Sequence, residues 1–539
     1  MIQSVLLCVA VSAGCLAAGR ILLHYFQLES YQFPGYFRTL RRNALKAFLP
    51  GACMAVLLVA SLTVLSLLMP KDGGASWGYL AAEILLLVGG GILIGKACAE
   101  KKAKKAFVLT PRVRRLYAVS LIVMALILLP AARALPQAAG QARTAAALFL
   151  MLFPLLLPFW IALCGLIAWP IEKGISELYF RDAQRILKSR PDLIKIGITG
   201  SWGKTSVKFI LGTILEEKYH TLVTPASFNT PMGVTKVIRS RLEPGHRVFV
   251  AEMGARHVGD IKEMCRLVHP RIGILTSVGP QHLDTFHTIE RVRKTKYELI
   301  DALPEDGMSF FADDGGICRE LYEMTRKDKT LTGLDPQKDD VYADEIRYSS
   351  EGSDFTLHFG EQAVRCNTQL LGELNIRNIL LCAGTAFRLG MTPEEIARGI
   401  RKIQPIEHRL QLIRNPGGMS VIDDAFNSNI LGARQAFQVL KAFPKERIIV
   451  TPGMVELGER EHELNREFGA TMAGCCDKAI LIGRKRSEAI REGLVSEGFS
   501  EDSLYVCASL GEATDLLKTL VSPGDTVLFE NDLPDNYTE

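Results

Sequence analysis

Five long apolar runs occupy the first third of the 539-residue chain, at about residues 1–19, 48–69, 78–97, 116–132 and 144–169. Each approaches the roughly 20 residues that a helix needs to cross the hydrocarbon core of a bilayer. Because backbone polar groups in lipid must be hydrogen-bonded within the protein, runs of this kind are restricted to helices. The sequence therefore predicts a transmembrane region of about five helices over residues 1–170.

Basic residues are distributed unevenly around these runs. Residues 1–170 contain 16 Lys and Arg but only 4 Asp and Glu, whereas the whole chain has a net charge of only +5. The segments after the first and third runs are basic, and those after the second and fourth are nearly neutral. Because positively charged loops remain in the cytosol, five spans place the N-terminus outside and residue 171 onward inside. The basic residues that carry this prediction are Arg20, Arg38, Arg41, Arg42, Lys46, Lys101, Lys102, Lys104, Lys105, Arg112, Arg114 and Arg115.

Residues 171–539 read as a soluble α/β protein. From residue 193 onward, short β-rich runs such as "LIKIGITG" and "RIGILTSVG" alternate with helical stretches, which is typical of a mainly parallel sheet. A second alternation begins at "MSVIDDAF", after a turn at residues 416–418. We therefore predict a multi-pass α-helical membrane region followed by two α/β domains, at 171–410 and 411–539. No basic stripe interleaves with aromatic residues, so nucleic-acid binding is not expected.

A glycine-rich turn, "GITGSWGKTS", lies between the first predicted strand and a helix that begins at Lys204. Glycines allow backbone amides to surround phosphate oxygens, and a helix N-terminus adds partial positive charge. Lys204 would reach the terminal phosphates, and the Thr205 hydroxyl would bind Mg²⁺. The spacing departs from the common phosphate loop because Ile198 occupies the first glycine position. The turn nonetheless predicts ATP and Mg²⁺ binding by Gly200, Ser201, Gly203, Lys204, Thr205 and Ser206.

Two further polar residues lie at predicted strand ends. Glu252 closes "VFVAE", and His282 follows "ILTSVGPQ". The carboxyl ends of parallel strands meet beside the phosphate loop, so the two side chains could share a metal site. Taken singly, each is more often structural or solvated. Lys296, on the next predicted helix, would by default be an exposed lysine.

Several spaced motifs together resemble the Mur ligase family, most closely its MurF branch, over about residues 190–530. The similar segments are "TGSWGKTS", "SFNTPMGV", "VAEMGARHVGDI", "PRIGILTSVGPQHLDTF", "RKTKYELI", "LLGELNIRNILLCAG", "EHRLQ", "IDDAFNSN" and "TPGMVELGEREHELNREFG". The resemblance implies cytoplasmic catalytic domains, an ATP-binding central one over 171–410 and a Rossmann-like C-terminal one over 411–539. It also implies an ATP-dependent carbon–nitrogen ligase that makes an amide through an acyl phosphate, forming ADP and phosphate.

The resemblance also implies roles for individual residues. Lys204, His282 and Lys296 would be catalytic, and Lys296 would be carbamylated. Thr205, Glu252, His282 and Lys296 would form the metal site. The nucleotide would be bound by the phosphate loop together with Asn229 near the γ-phosphate, Asn375 and Asn378 near adenine, Arg409 at the phosphates and Asp424 near the ribose.

The chain departs from the family pattern in ways that concern the substrate. Leu374, Phe426 and Ile430 replace residues usual in the family, and the final strand lacks the basic stretch expected there. The small domain that grips a UDP-sugar is missing, and the apolar runs stand in its place. The implied partners are the cytoplasmic membrane, a peptide-bearing cell-envelope precursor, either UDP-linked or lipid-linked, and an amino acid or a dipeptide such as D-Ala-D-Ala.

Two other functions remain open from the sequence. One is a polymerising ligase of the poly-γ-glutamate type, which would make a ladder of products instead of one amide. The other is a membrane P-loop ATPase coupled to transport, which would need a polar pathway through the spans. The runs show little polar character beyond Glu83, which lies near the start of the third run, where it could reach the membrane surface.

Overall fold

The computed structural model describes residues 2–68, 77–99, 106–134, 140–226, 228–414, 417–425, 430–455 and 457–531. It divides the chain into two compact units, Met1–Glu177 and Leu178–Glu539. Some parts of the sequence predictions lie outside the described residues, among them the lysines within 101–105, residue 227 of "SFNTPMGV" and the "FNSN" part of the motif at 422–429.

The first unit is entirely helical in its described residues. Its helices are α1 Ile2–Ala18, α2 Arg20–Leu28, α3 Phe33–Arg42, α4 Ala44–Leu68, α5 Trp77–Ala97, α6 Pro111–Ala134, α7 Gly140–Leu152 and α8 Leu157–Lys188, the last of which continues into the second unit. Four spans are long and apolar enough to cross a membrane, at Ala44–Ser61, Trp77–Ala97, Pro111–Ala134 and Thr144–Lys188. A fifth is possible if α1 and α2, which bend by 55° at their junction, are counted together.

Glycines allow the backbones of α1 and α5 to approach closely. A Cβ atom added to Gly91 would lie only 2.7 Å from the Cα atom of Gly14. Glu83 of α5 is buried in the same unit, with 6% of its surface exposed, and accepts a 3.0 Å hydrogen bond from Ser61 Oγ of α4. The structure therefore places this carboxyl group between α4 and α5, whereas the sequence favoured a side chain that reaches the membrane surface.

The second unit begins with a nine-stranded sheet in the order β2-β3-β1-β4-β5-β6-β7-β8-β9. Pairings from β2 to β7 are parallel, and β7–β9 form an antiparallel meander. The strands are β1 Ile194–Thr199, β2 Thr221–Val223, β3 Val248–Glu252, β4 Ile272–Leu275, β5 Met308–Ala312, β6 Asp328–Gly333, β7 Val341–Ser349, β8 Gly352–Phe359 and β9 Gln362–Thr368. The helices are α9 Lys204–Leu215, α10 Pro231–Arg241, α11 Asp260–Val268, α12 Leu283–Phe286, α13 Ile289–Asp301, α14 Ile317–Met324, α15 Glu373–Arg388 and α16 Pro393–Lys402.

A second, six-stranded sheet follows in the order β10-β11-β15-β12-β13-β14. Only β10 is antiparallel to its neighbour. Its strands are β10 Gln411–Arg414, β11 Ser420–Asp424, β12 Arg447–Thr451, β13 Lys478–Ile482, β14 Leu504–Cys507 and β15 Thr526–Glu530, and its helices are α17 Ile430–Lys441, α18 Glu461–Ala473, α19 Arg484–Ser496 and α20 Leu510–Leu520. The prediction of two successive α/β sheets is confirmed.

The apolar pattern of the strands explains why the first sheet lies inside the protein. All five residues of β3 and all four of β4 are buried, as expected for strands covered on both faces by helices. One core forms where α9, α15 and α16 pack on one face, and another where α11 and α13 pack on the other. Because β1 lies between β3 and β4, the loops that follow these three strands share one edge of the sheet.

Candidate active site

The phosphate loop spans residues 200–203, between β1 and α9. Gly203 has φ of 80°, which favours glycine, and a Cβ atom there would lie 3.1 Å from Asn378 Oδ1. The segment after β4 braces the loop from the other side. The backbone N–H of Trp202 donates to Ser277 Oγ at 2.8 Å, and Ser201 Oγ donates to the Gly279 carbonyl at 3.0 Å. The loop is therefore held open at the N-terminus of α9, where an anion is favoured.

Lys204 curls back over this loop. Its Nζ donates to the carbonyl oxygens of Gly200 at 2.7 Å and Ser201 at 2.9 Å. Burial lowers the pKa of Lys204 to about 8, with Arg409 acting in the same direction and Glu252 opposing both. The ammonium thus lies at the loop, and no carboxylate among the described residues is in direct contact with it, which leaves it available to an incoming phosphate group.

Glu252, the last residue of β3, is the centre of the site, with 1% of its surface exposed. It accepts hydrogen bonds from Thr205 Oγ1 at 3.1 and 3.2 Å and from Asn229 Nδ2 at 3.1 Å. It also forms an ion pair with Lys208, whose Nζ lies 3.0 Å from Glu252 Oε2. Burial raises the pKa of Glu252, but Lys208 and Lys204 outweigh burial and hold it below its ordinary value. The carboxylate is therefore ionised and pointed at the phosphate loop.

Sequence reasoning missed Lys208. It lies one helical turn after Lys204 in α9, so the two lysines share a face of that helix. That spacing was the available signal, but nothing in the sequence placed the side chain against Glu252.

The donor set suits Mg²⁺, because a hydroxyl and a carboxylate are the hard oxygen ligands that this ion prefers. Among the described residues, no group of three or more His, Cys, Asp or Glu side chains could hold a metal ion. The predicted set contains only two such residues, Glu252 and His282. His282 follows β4, has φ of 52° and lies immediately before the short helix α12.

Lys296 is buried on α13, with 2% of its surface exposed, so the default reading of an exposed lysine was wrong. Burial, with Lys204 as the second cause, holds the pKa of Lys296 well below its ordinary value, although Asp260 and Glu298 oppose this. No hydrogen bond or ion pair joins its Nζ to another residue in the described parts of the chain. Lys296 is therefore an amine inside the protein without a carboxylate partner.

The remaining predicted ligands come from α15 and from the start of the second α/β sheet. Asn375 and Asn378 are both buried at the start of α15, and Asn375 Nδ2 donates to the Leu371 carbonyl at 2.9 Å. Burial lowers the pKa of Arg409, opposed by Asp424 and Glu252. Burial raises the pKa of Asp424 to about 6, opposed by Arg409. Arg409 thus interacts electrostatically with a carboxylate from each of the two sheets. Ser206 is buried in the first turn of α9.

Comparisons with known proteins agree with this geometry. Residues 198–386 match the Mur ligase middle domain, and residues 408–530 match the glutamate ligase domain of Mur ligases. The UDP-N-acetylmuramoyl-tripeptide--D-alanyl-D-alanine ligase of Bacillus subtilis is 28% identical over 338 residues, covering 62% of this chain and 72% of the relative. The corresponding Escherichia coli ligase is 26% identical over 350 residues, covering 63% and 77%.

Solved structures show the same fold. A crystal structure of MurF from Acinetobacter baumannii matches with a TM-score of 0.60 at 25% identity, covering 67% of this chain and 78% of that one. MurF from Thermotoga maritima in complex with ADP matches with a TM-score of 0.60 at 23% identity, covering 67% and 81%. The chain belongs to the Mur ligase family and is a MurF-like, ATP-dependent carbon–nitrogen ligase that uses Mg²⁺ and forms ADP and phosphate.

Proposed function

We propose that this chain is a membrane-anchored ligase that joins an amino acid or a dipeptide, such as D-Ala-D-Ala, to a peptide carboxylate of a cell-envelope precursor. The observation that carries the proposal is the arrangement of Thr205 and Asn229 on Glu252 at the mouth of the phosphate loop. Curated relatives act on a UDP-linked muramoyl tripeptide and D-alanyl-D-alanine, which identifies the substrate class to test first.

Different residues of the site bind different parts of ATP. The amides of the phosphate loop, with Lys204, Asn229 and Arg409, bind the phosphates, and Asn375, Asn378 and Asp424 bind the nucleoside. Thr205, Glu252, His282 and a carbamylated Lys296 would hold Mg²⁺. When bound, Mg²⁺ neutralises the negative charge that develops on the transferred phosphoryl group.

The reaction proceeds in two displacements on the substrate. A carboxylate oxygen of the acceptor bonds to the γ-phosphorus of ATP, and ADP leaves, which gives an acyl phosphate. The amine then bonds to the acyl carbon, inorganic phosphate leaves, and the amine loses a proton. Positioning supplies much of the acceleration, because hydrogen bonds to the Gly200 and Ser201 carbonyls hold Lys204 at the loop before the substrates bind.

Carbamylation of Lys296 follows from its environment. Burial lowers the pKa of Lys296, which favours the neutral amine and makes the electron pair of its nitrogen more available. That nitrogen bonds to the carbon of CO₂ and releases one proton, which converts a buried amine into an anion. The carbamate would then face Lys204, the nearby cation, and would supply an oxygen ligand to Mg²⁺.

The helical unit anchors the enzyme in the membrane. The long apolar helices supply the spans, and the basic segments around Arg38 and Arg115 face the cytosol. With α1 and α2 crossing as one bent span, the N-terminus lies outside and both α/β domains lie inside. Because the helices replace a UDP-sugar-binding domain, a lipid-linked acceptor is the alternative to a UDP-linked one.

The test is phosphate release from ATP by the full-length protein in detergent, with products followed by mass. D-Ala-D-Ala would be supplied with either the UDP-linked muramoyl tripeptide or its lipid-linked equivalent, and Lys204→Ala serves as the inactive control. Release that requires both substrates and yields one new amide supports the proposal and identifies the acceptor. A ladder of products would indicate a polymerising ligase. Phosphate release that does not depend on any acceptor would contradict the proposal.

A further inference from the structure

A cavity of about 850 Å³ opens at the end of the first sheet opposite to the phosphate loop. It is bounded by the beginnings of β1 and β4, by the segment before β5 and by α11. Lys195 lies on its wall near the start of β1, whereas Gly200 follows the other end of the same strand. Five residues of strand separate them, or roughly 16 Å, so this cavity is distinct from the ATP site.

The cavity wall is rich in positive charge. Four Lys and Arg side chains and His269 line it, against two acidic side chains, Glu263 and Asp306. One of the basic residues, Arg271, is already paired with Asp306. These five lining residues are Lys195, Lys262, Arg266, His269 and Arg271.

Three of these cations have no anionic partner. Within the described residues, no side-chain hydrogen bond or ion pair engages Lys195, Lys262 or Arg266. The Arg266 guanidinium only lies over the Phe180 ring, 5.0 Å from its centre. Like charges that line one concave surface raise its positive potential and attract anions into it.

Lys195 is the most informative of the three, because it is half-buried. Burial alone lowers its pKa, and no carboxylate offsets that effect. Burial, Lys188 and Lys195 also lower the pKa of the neighbouring His269, although a backbone hydrogen bond at Leu267 opposes them. A cation that is partly removed from water without a partner costs free energy, and a bound anion would remove that cost.

We propose that this cavity binds a small organic phosphate. A phosphate group carries enough charge and enough acceptor oxygens to engage Lys195, Lys262 and Arg266 together. Apolar wall atoms from Pro191, Leu193, Pro270 and Pro304 would contact the rest of the ligand. The proposal is independent of which acceptor the ligase uses, since no residue of the ATP site lines the cavity.

The first test measures the chemical reactivity of Lys195 with inorganic pyrophosphate as the probe. The full-length protein would carry Lys204→Ala, so that the phosphate loop does not dominate binding. Acetylation of individual lysines by a limiting reagent would be followed by peptide mass spectrometry. Saturating pyrophosphate is expected to slow acetylation of Lys195 by about tenfold and to leave the exposed Lys441 unaffected. Equal acetylation of Lys195 with and without pyrophosphate would overturn the proposal.

A matched pair of variants separates this site from general electrostatic attraction. Arg266→Gln removes a lining cation, and Lys441→Met removes an exposed cation on α17 that does not line the cavity. Arg266→Gln is expected to raise the pyrophosphate concentration needed for half-protection about tenfold, whereas Lys441→Met leaves it unchanged. With the phosphate loop intact, Arg266→Gln should release phosphate from ATP at the unmodified rate. An equal rise of the half-protection concentration in both variants would show that pyrophosphate responds only to the net charge of the protein. That result would reject the site.

Discussion

Lys208 Nζ lies 3.0 Å from Glu252 Oε2, and both side chains are almost completely excluded from solvent. The lysine also donates to the Ala226 carbonyl, so its ammonium has no contact with bulk water. This ion pair holds the Glu252 carboxylate in place before a metal ion binds. Glu252 is therefore presented to Thr205 and Asn229 in one orientation, which is what a site that must position phosphates requires.

The first prediction concerns this pair. Lys208→Met leaves Glu252 as a buried charge without its partner, which is expected to cost about 3–5 kcal/mol of the free energy of unfolding. Urea denaturation of the full-length protein, followed by fluorescence, would measure it, with the exposed Lys441→Met as the control. The double variant Lys208→Met/Glu252→Gln should lose less free energy of unfolding than the sum of the losses in the two single variants. Strict additivity would show that the pair contributes no coupling.

The second prediction tests the carbamate on Lys296. Lys296→Ala is expected to abolish amide formation while leaving ATP binding within about twofold, because only a metal ligand is lost. Lys294→Ala, two residues away on the exposed face of α13, is the matched control and should remain active. Added short carboxylates such as acetate or formate should restore part of the Lys296→Ala activity. Full activity in that variant without any carboxylate would reject the assignment.

The third prediction separates the hydroxyl of Thr205 from its bulk. Thr205→Val keeps the shape but removes the hydrogen-bond donor to Glu252 and the proposed metal ligand. We expect the rate of phosphate release to fall about 10- to 100-fold, and the Mg²⁺ concentration for half-maximal activity to rise. Thr205→Ser keeps the hydroxyl and should be close to the unmodified protein. Equal Mg²⁺ dependence in the valine and serine variants would remove Thr205 from the metal site.

Local patterns in the sequence predicted the elements well. The helix predicted to begin at Lys204 is observed at Lys204–Leu215, and the predicted helix that carries Lys296 is observed at Ile289–Asp301. Each helix begins beside a local start signal, a glycine turn before α9 and the Thr288 side chain that caps α13. Such signals act over a few residues, so one sequence is enough to read them.

Contacts between residues that are far apart in the sequence could not be predicted from local patterns. Lys208 and Glu252 are separated by 44 positions, and their pairing depends on how α9 packs over β1 and β3. The burial of Lys296 likewise depends on α13 packing on the sheet, because its own helix presents lysines on both faces. Glu83 meets Ser61 only because α4 and α5 lie side by side. In each case tertiary packing overrides the default expectation for a charged residue.

The fourth prediction is a pH dependence of stability at Asp339, which lies between β6 and β7. Burial raises its pKa to about 6 from an ordinary value of 3.8, and Asp313 acts in the same direction. Between these two pH values the folded protein binds a proton that the unfolded chain has lost, so stability falls as the pH rises through this window. Asp339→Asn removes the penalty and is expected to stabilise the protein by up to about 3 kcal/mol at pH 8.

Thermal unfolding at pH 4 and pH 8 would measure this effect. The gain from Asp339→Asn should be small at pH 4, where the native carboxyl group is already protonated. Asp335→Asn is a suitable comparison, because the pKa of Asp335 shifts in the opposite direction. Hydrogen bonds from the Gln337 backbone and Lys338 lower it. A stabilisation of Asp339→Asn that is the same at both pH values would show that the carboxyl group does not titrate as described.

The last prediction tests the membrane topology without depending on the bent pair α1 and α2. Lys46 lies at the start of α4 in a basic segment, and Gln141 lies at the start of α7 after a nearly neutral one, and both are exposed. Positive residues on the cytosolic side place these two positions on opposite faces of the membrane, whether or not the first pair crosses. In intact cells, a membrane-impermeant maleimide should therefore label Gln141→Cys and should label Lys46→Cys only after permeabilisation. The unmodified protein, with its own cysteines, sets the background. Labelling of Lys46→Cys in intact cells with protection of Gln141→Cys would reverse the orientation and place the ATP site outside the cell, which would contradict the proposed function.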